Sequence, residues 1–434
     1  MSFYKKFLST SILSVIDQGL LSALNFAIGI LLMNLVAKDD YGLYGQLYAG
    51  GMLVGLVVDS WIAGPLTTVA SAVHGDTRKS LLRHYWYKQI AWTMMMAVLA
   101  FIVVEFIPAA THYSNKSWLL ALAFSAYVFA NGVREYGRTV GFIQSDIVSV
   151  LRQDGVYVSL VVCGLATLYF SKHFDLVAVF LLLAASSTLC TLASRQHFLA
   201  HTTADVEAHA KEEMGQAIAD HQETISGHGR WAVSGVIVGW LSNYSYVYLS
   251  GAWLGVAAIA DLNASRLMLM PIPLAVAAWS RVARPEASRL IAENDWRGLK
   301  RLTLFSIAGI ELVVLCYVAL LLFALPWLEG HVISAKYSGL DPLVMMWGAY
   351  FAVNAARWVG TSWLSSGGAY KEMFYLGSVS LCMVWVITTF SIPRMGAPGA
   401  ILASIIVEVF ELIVVWRYIL PRLQKQARTH PDEY

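Results

Sequence analysis

Eight charged side chains sit in or at the ends of apolar runs of this 434-residue sequence, and their types and spacings could do chemistry: the acids Asp17, Asp59, Glu311, Glu408 and Glu411, and the bases Arg134, Arg266 and Arg357. Inside a bilayer each would cost about 2.5–3.5 kcal/mol even on lenient scales, so each needs a partner or a task. Glu408 and Glu411 are three residues apart, which puts them on one helical face together with Ser404. Two carboxylates so close in a dry site do not both ionise easily, so the pair could load and release a proton. Alternatively, each neutralises an arginine of another helix.

Arg134 and Arg357 fall in two related segments, NGVREYG from Asn131 and NAARWVG from Asn354, which share N-x-x-R-x-x-G. A guanidinium is a planar fork that stays charged and binds phosphate oxygens two at a time. A matched pair, with Arg266 deeper in, could therefore hold a phosphorylated head; the competing reading has them paired with Glu135, Asp17 or Asp59, or reaching to lipid headgroups. Ser14, Gln18, Ser22, Asn25 and Gly29 recur at spacings of four, four, three and four, a polar stripe on one helix face. Such a stripe turns from lipid, either as hydrogen-bonding glue between helices or as the lining of a watery cavity.

Other chemistries lack their residues. All eleven histidines lie in loops or at helix ends, there is no Walker sequence, and no Cys-x-x-Cys pair occurs. His197 and His201 have the i, i+4 spacing of a metal pair, but no cysteine completes a site, so no metal and no cofactor is expected. The four cysteines fall in apolar runs and read as small, reduced core residues. A net charge of +2 with no basic block gives no indication of nucleic acid as a partner. An enzyme is not expected.

The elements that must position these residues are membrane helices. Hydrophobic residues make up 58% of the chain and charged ones 13%, far from soluble-domain composition. Apolar runs predict about twelve spans, the first uncleaved. Of the 30 lysines and arginines, Arg266 and Arg357 lie within runs and only Lys38, Lys116, Lys172, Lys336 and Arg394 fall on the side opposite the N-terminus. Both termini are therefore expected in the cytoplasm. Asn25–Phe26 aligns with Asn243–Tyr244 and Tyr41–Gly42 with Ile259–Ala260, as the two arginine segments do, which points to duplication. The expected fold is an all-α polytopic membrane protein, about twelve transmembrane helices in two six-helix bundles related by a pseudo-twofold axis along the membrane normal, with a site where they meet. The bundles are expected at 1–194 and 231–420, with a solvated cytoplasmic linker at 195–230 and a tail at 421–434. Pro65, Pro271 and Pro273 predict bends in the second helix of each half.

Within residues 12–51, Asp17, Gln18, Ser22, Asn25, Phe26, Gly29, Ala37, Asp40, Tyr41, Gly42 and Tyr44 form a pattern. It resembles the opening of the polysaccharide-export (Wzx-type) flippases of the multidrug/oligosaccharidyl-lipid/polysaccharide superfamily. The resemblance implies a transporter of the bacterial inner membrane that flips a polyprenyl-pyrophosphate-linked oligosaccharide by alternating access, for O-antigen, capsule or exopolysaccharide. It implies contact with membrane lipids, and partners such as a polysaccharide polymerase and other assembly proteins. Substrate binding would fall to Arg134, Arg357, Arg266, Gln18 and Asn25, and ion coupling to Glu408, Glu411, Asp17 and Asp59. One departure stands out: related lipid II flippases carry several arginines on the first helix, where this chain has Asp17. The alternative within the superfamily is a cation-coupled multidrug antiporter, in which an acid on the first helix binds the cation. A major-facilitator carrier is disfavoured because its G-x-x-x-D-R-x-G-R-R loop is not matched at 75–83.

Overall fold

The computed structural model describes residues 3–73, 75–107, 110, 113, 117–202, 210–293, 295–366 and 369–429, and among them there is no β-strand. The first half runs α1 (Phe3–Leu35), α2 (Lys38–Val58), a π-helical turn (Asp59–Ala63), α3 (Gly64–Ala72), α4 (Gly75–Glu105), α5 (Ser117–Ile143), α6 (Ile147–Ser171), α7 (Leu176–Ala193) and α8 (Arg195–Thr202). The second runs α9 (Ala210–Leu254), α10 (Val256–Leu267), α11 (Pro271–Ala292), α12 (Trp296–His331), α13 (Asp341–Ser366), α14 (Tyr370–Met395), α15 (Ala397–Val414), a second π-helical turn (Val415–Ile419) and α16 (Leu420–Thr429).

Eight helical stretches are long and apolar enough to cross a bilayer, and α10 with α11, bent by 50°, makes a ninth. With α5, α9 and α13, of 27, 45 and 26 residues, the described residues hold twelve stretches of spanning length. α5 and α13 are less apolar because they carry the inward-facing arginines Arg134, Arg138 and Arg357. Outward, the helices show lipid what a soluble protein hides: Phe323 is 86% exposed and Phe106 81%. The protein is an all-α polytopic membrane protein.

The cysteines need correction. Only Cys190 is buried, its thiol donating to the Gln153 carbonyl at 3.2 Å; Cys163, Cys316 and Cys382 are exposed on outer faces. In a bilayer an apolar run has an apolar solvent, so being in the run does not mean being in the core.

The expected bend occurs at Pro271, whereas near Pro65 the helix widens into a π-helical turn within one span. Pro271 starts α11 after the break at 268–270, and the first π-helical turn stands two residues before Pro65. Proline cannot donate to the carbonyl four residues back, which frees the backbone to kink or widen there.

The chain forms two compact units, residues 1–28 with 46–237, and residues 29–45 with 238–434. This differs from a division at 194 and 231, for two local reasons. The first is close backbone approach around α10. A Cβ on Gly42 would lie 1.9 Å from the Val256 carbonyl oxygen, and one on Gly45 would lie 1.8 Å from Asn263 Nδ2. Lys38 pairs with Asp261 at 2.7 Å, the Ser334 amide donates to Asn34 Oδ1 at 2.7 Å, and Lys336 donates to the Val36 carbonyl. These contacts bind 29–45 into the second unit.

The second reason lies in the stretch expected to be a solvated linker. Phe198 of α8 packs on Trp86 and Tyr136, Ile225 of α9 is buried in the same cluster, and Gly229 abuts the Trp61 backbone. Phe198, Ile225 and Gly229 of that stretch are therefore packed, and α9 continues without a break into its span.

In each unit the helix bearing N-x-x-R-x-x-G is the hub. α5 packs along α4 and α7, and α13 along α11, α12 and α15. Each hub presents its motif arginine toward a cavity in its own unit.

Candidate functional site

The first unit encloses a cavity of about 490 Å³ lined by Gln18, Asn25, Asp59, Asn131, Arg134 and Glu135, with Tyr127 and Tyr157 among its aromatic walls. Gln18 and Asn25 thus use the polar stripe of α1 to line a cavity. Gly29, on the same stripe, instead packs against Leu267. Asp17 does not reach the cavity; it is fully buried behind it.

There it joins a network of two arginines and three acids. Arg134 donates to Asp154 at 2.6 Å, to Glu135 at 2.5 Å and to Asn131 at 3.2 Å, and stacks over Tyr157 at 4.0 Å. Arg138 donates to Asp17 at 2.9 Å and to Glu135 at 2.6 Å, and its Nε lies 2.6 Å from Asp154. Every charge is met by an opposite one, the condition under which buried ions are tolerated. The network holds three carboxyl groups against two arginines, and Asp59 adds a further carboxyl group at the cavity wall.

Sequence reasoning placed Arg138 at the cytoplasmic edge and passed over Asp154. The available signal was helical: Arg134 and Arg138 are four apart, so they share a face and can share counter-ions.

The second unit encloses a cavity of about 220 Å³, lined among others by Asn243, Tyr246, Arg266, Trp347, Tyr350, Arg357, Ser404, Glu408 and Glu411. Arg357 donates through Nε to Glu408 at 2.5 Å and through Nη2 at 3.1 Å, while Nη1 stands 3.1 Å from Glu411. Both carboxylates of the i, i+3 pair therefore meet an arginine of another helix. Asn243 and Arg357 line this cavity as their repeat partners Asn25 and Arg134 line the other. The counter-ions come from different places: α5 and α6 in the first unit, α15 in the second. Glu311, on α12, lines neither cavity.

Arg266 is different. It donates to the Tyr246 hydroxyl at 2.8 Å and lies over Trp347, Tyr244 and Tyr246, 5.2 to 5.7 Å from their ring centres. Among the described residues no carboxylate pairs with it. Aromatic faces hold a cation without neutralising it, so its charge remains available to an anion. No cluster of three or more metal-ligating side chains occurs among the described residues.

No family model and no curated protein matches the sequence. Solved structures do. An inward-facing multidrug-resistance MATE-family transporter of the MOP superfamily aligns with 94% of this chain and 95% of its own, with a TM-score of 0.75 at 11% identity. The lipid II flippase MurJ, in an inward closed conformation, aligns with 96% of this chain and 89% of its own, with a TM-score of 0.73 at 11% identity. The fold is that of the MOP-superfamily transporters. A further MOP transporter, from Pyrococcus furiosus, aligns over 96% of this chain and 95% of its own, with a TM-score of 0.65 at 12% identity. At such identities the shared property is the fold, and the charges within it must be read from this chain. In this fold the wall of the first cavity carries more carboxyl groups than arginines, and the second cavity holds one arginine, Arg266, that no carboxylate among the described residues pairs with.

Proposed function

We propose that the protein flips a polyprenyl-pyrophosphate-linked oligosaccharide across the bacterial plasma membrane by alternating access, for surface polysaccharide assembly. Arg266 carries this reading. A guanidinium with no carboxylate paired to it keeps its donors for an anion, and a pyrophosphate accepts its fork with two oxygens. The aromatic rings around it, Tyr246 and Trp347 above all, hold the guanidinium in place without cancelling its charge. Arg357, at the same cavity, is the second phosphate contact. Arg134 is only 4% exposed and spends its hydrogen bonds on Asp154, Glu135 and Asn131, so in this reading it holds the first unit together. The fold shared with a lipid II flippase and the residues of the 12–51 stretch support the same substrate class.

A second reading rests on the acidic cavity of the first unit: Asp59 and Glu135 would suit a cation, as in a cation-coupled antiporter. Reconstituted vesicles separate the two. Flipping predicts protein-dependent exposure of a fluorescent polyprenyl-pyrophosphate sugar on the opposite leaflet, and no gradient-driven movement of an organic cation such as tetraphenylphosphonium. Movement of the cation with no flipping would replace the first reading by the second.

The same proposal sets orientation, with both termini and the 195–230 stretch in the cytoplasm. A single cysteine at Lys336 should react with an impermeant thiol reagent from outside intact cells, and one at His221 should not. The reverse pattern would invert the map. Lys116, a second outer marker, lies outside the described residues.

A further inference from the structure

Glu408 and Glu411 hold one arginine on very unequal terms. Glu408 accepts from Arg357 Nε at 2.5 Å and Nη2 at 3.1 Å, from Asn354 Nδ2 at 3.0 Å and from the Tyr350 hydroxyl at 3.3 Å. Four donors from three side chains of α13 fix that carboxylate in place. Glu411, three residues along α15, has a single ion pair, with Arg357 Nη1 at 3.1 Å, and no hydrogen bond among the described residues. Its other side is open to the cavity that also holds Arg266.

The other charged and titratable groups around Glu411 are few. Arg357 and Tyr350 come from α13, Glu408 from its own helix, Arg266 from α10 and Tyr246 from α9. From α14 the cavity receives Met373, Leu376, Gly377 and Val384, none of them ionisable. The empty cavity is thus electrically neutral, two arginines against two glutamates. A pyrophosphate head entering beside Arg266 adds negative charge, and the carboxylate it repels most easily is the one held by a single contact.

We propose that Glu411 is an exchangeable counter-ion of Arg357: the substrate's pyrophosphate displaces it on binding, and its return to Nη1 drives the head out. This rests on the substrate reading given above. Occupied, the site offers the head two guanidiniums, Arg266 and the freed edge of Arg357, while Glu408 keeps the Nε edge oriented. Empty, Glu411 returns to Nη1, so that edge of Arg357 is not left without a partner in a poorly hydrated site during the return of the carrier. No bond is made or broken; one ion pair replaces another. Glu411 is therefore a built-in competitor, and its removal should tighten binding, which loss of a merely structural group does not do.

The test is equilibrium binding of farnesyl pyrophosphate to the full-length protein in nanodiscs. Wild type, Glu411→Gln and Glu408→Gln are compared at one ionic strength, each first shown to be folded by its thermal transition. Glu411→Gln should bind about tenfold tighter than wild type, the value of one charge-assisted hydrogen bond no longer contested. Glu408→Gln, which loosens Arg357 itself, should bind no tighter. If Glu411→Gln is not recovered folded, Glu411→Asp carries the comparison: a shorter arm weakens the ion pair and should also raise affinity. Binding to wild type with equal or weaker binding to the folded Glu411 variant overturns the exchange while leaving the substrate reading in place. Absence of binding to every folded variant overturns both.

Discussion

Arg138→Gln is expected to remove most of the folded protein, a larger loss than any single change at the cavity walls. Arg138 is buried and joins three acids from three helices: Asp17 of α1, Glu135 of α5 and Asp154 of α6. Among the described residues Asp17 pairs with no other cation, and both Asp17 and Asp154 are completely buried. Removing one member of such a set leaves an uncompensated charge in a dry interior, at a cost of about 3–5 kcal/mol. That is comparable to the whole stability of many domains. Arg138→Gln should therefore appear mainly as aggregate by fluorescence-detected size exclusion, with a sharply lowered thermal midpoint in what remains. Asp17→Asn should do less, because Arg138 keeps Glu135 and Asp154. Combining the two should recover part of the loss, since the orphaned carboxylate is then gone. A single Arg138→Gln variant with a wild-type midpoint would mean that water reaches the network.

Much of this arrangement could be read from the sequence, and the limits have physical causes. Apolar run length marks a span because a bilayer fixes how far a helix must reach, so α1, α4, α12 and α15 were legible. The repeat N-x-x-R-x-x-G was legible because one helix face carries it, and it leads to a cavity in each unit. Asp154 was not, because a carboxylate near the end of an apolar run looks the same whether it faces headgroups or an arginine on a neighbouring helix. The packing of Phe198 and Ile225 was hidden for a similar reason: an occasional apolar residue in a polar helix makes no apolar period long enough to announce a buried face. The assignment of 29–45 to the second unit depends on Gly42 and Gly45, whose importance comes from what passes beside them, Val256 and Asn263, and not from their own surroundings in the chain. The carboxylate-free state of Arg266 is likewise a property of three dimensions. Sequence places Arg266 in an apolar run, and only the structure shows which acids stay away from it.

Arg266→Ala should spare the fold and remove the function. Unlike Arg138, it leaves no carboxylate stranded; the Tyr246 hydroxyl loses one donor and three aromatic rings lose a cation. What disappears is the positive charge presented to an anion in the second cavity. A hydrogen bond to a charged group contributes about 1.5–3 kcal/mol, so affinity for a pyrophosphate head should fall by roughly tenfold to a hundredfold or more. Arg266→Lys should fall between, since a lysine keeps the charge and loses the fork. The most direct measurement is equilibrium binding of a polyprenyl-pyrophosphate-linked sugar to wild type and Arg266→Ala in nanodiscs, beside the same polyprenyl chain carrying an uncharged sugar ether. The account predicts that wild type prefers the pyrophosphate lipid and that Arg266→Ala, folded and thermally intact, binds the two lipids alike. An Arg266→Ala protein that keeps the wild-type preference for the pyrophosphate would contradict it.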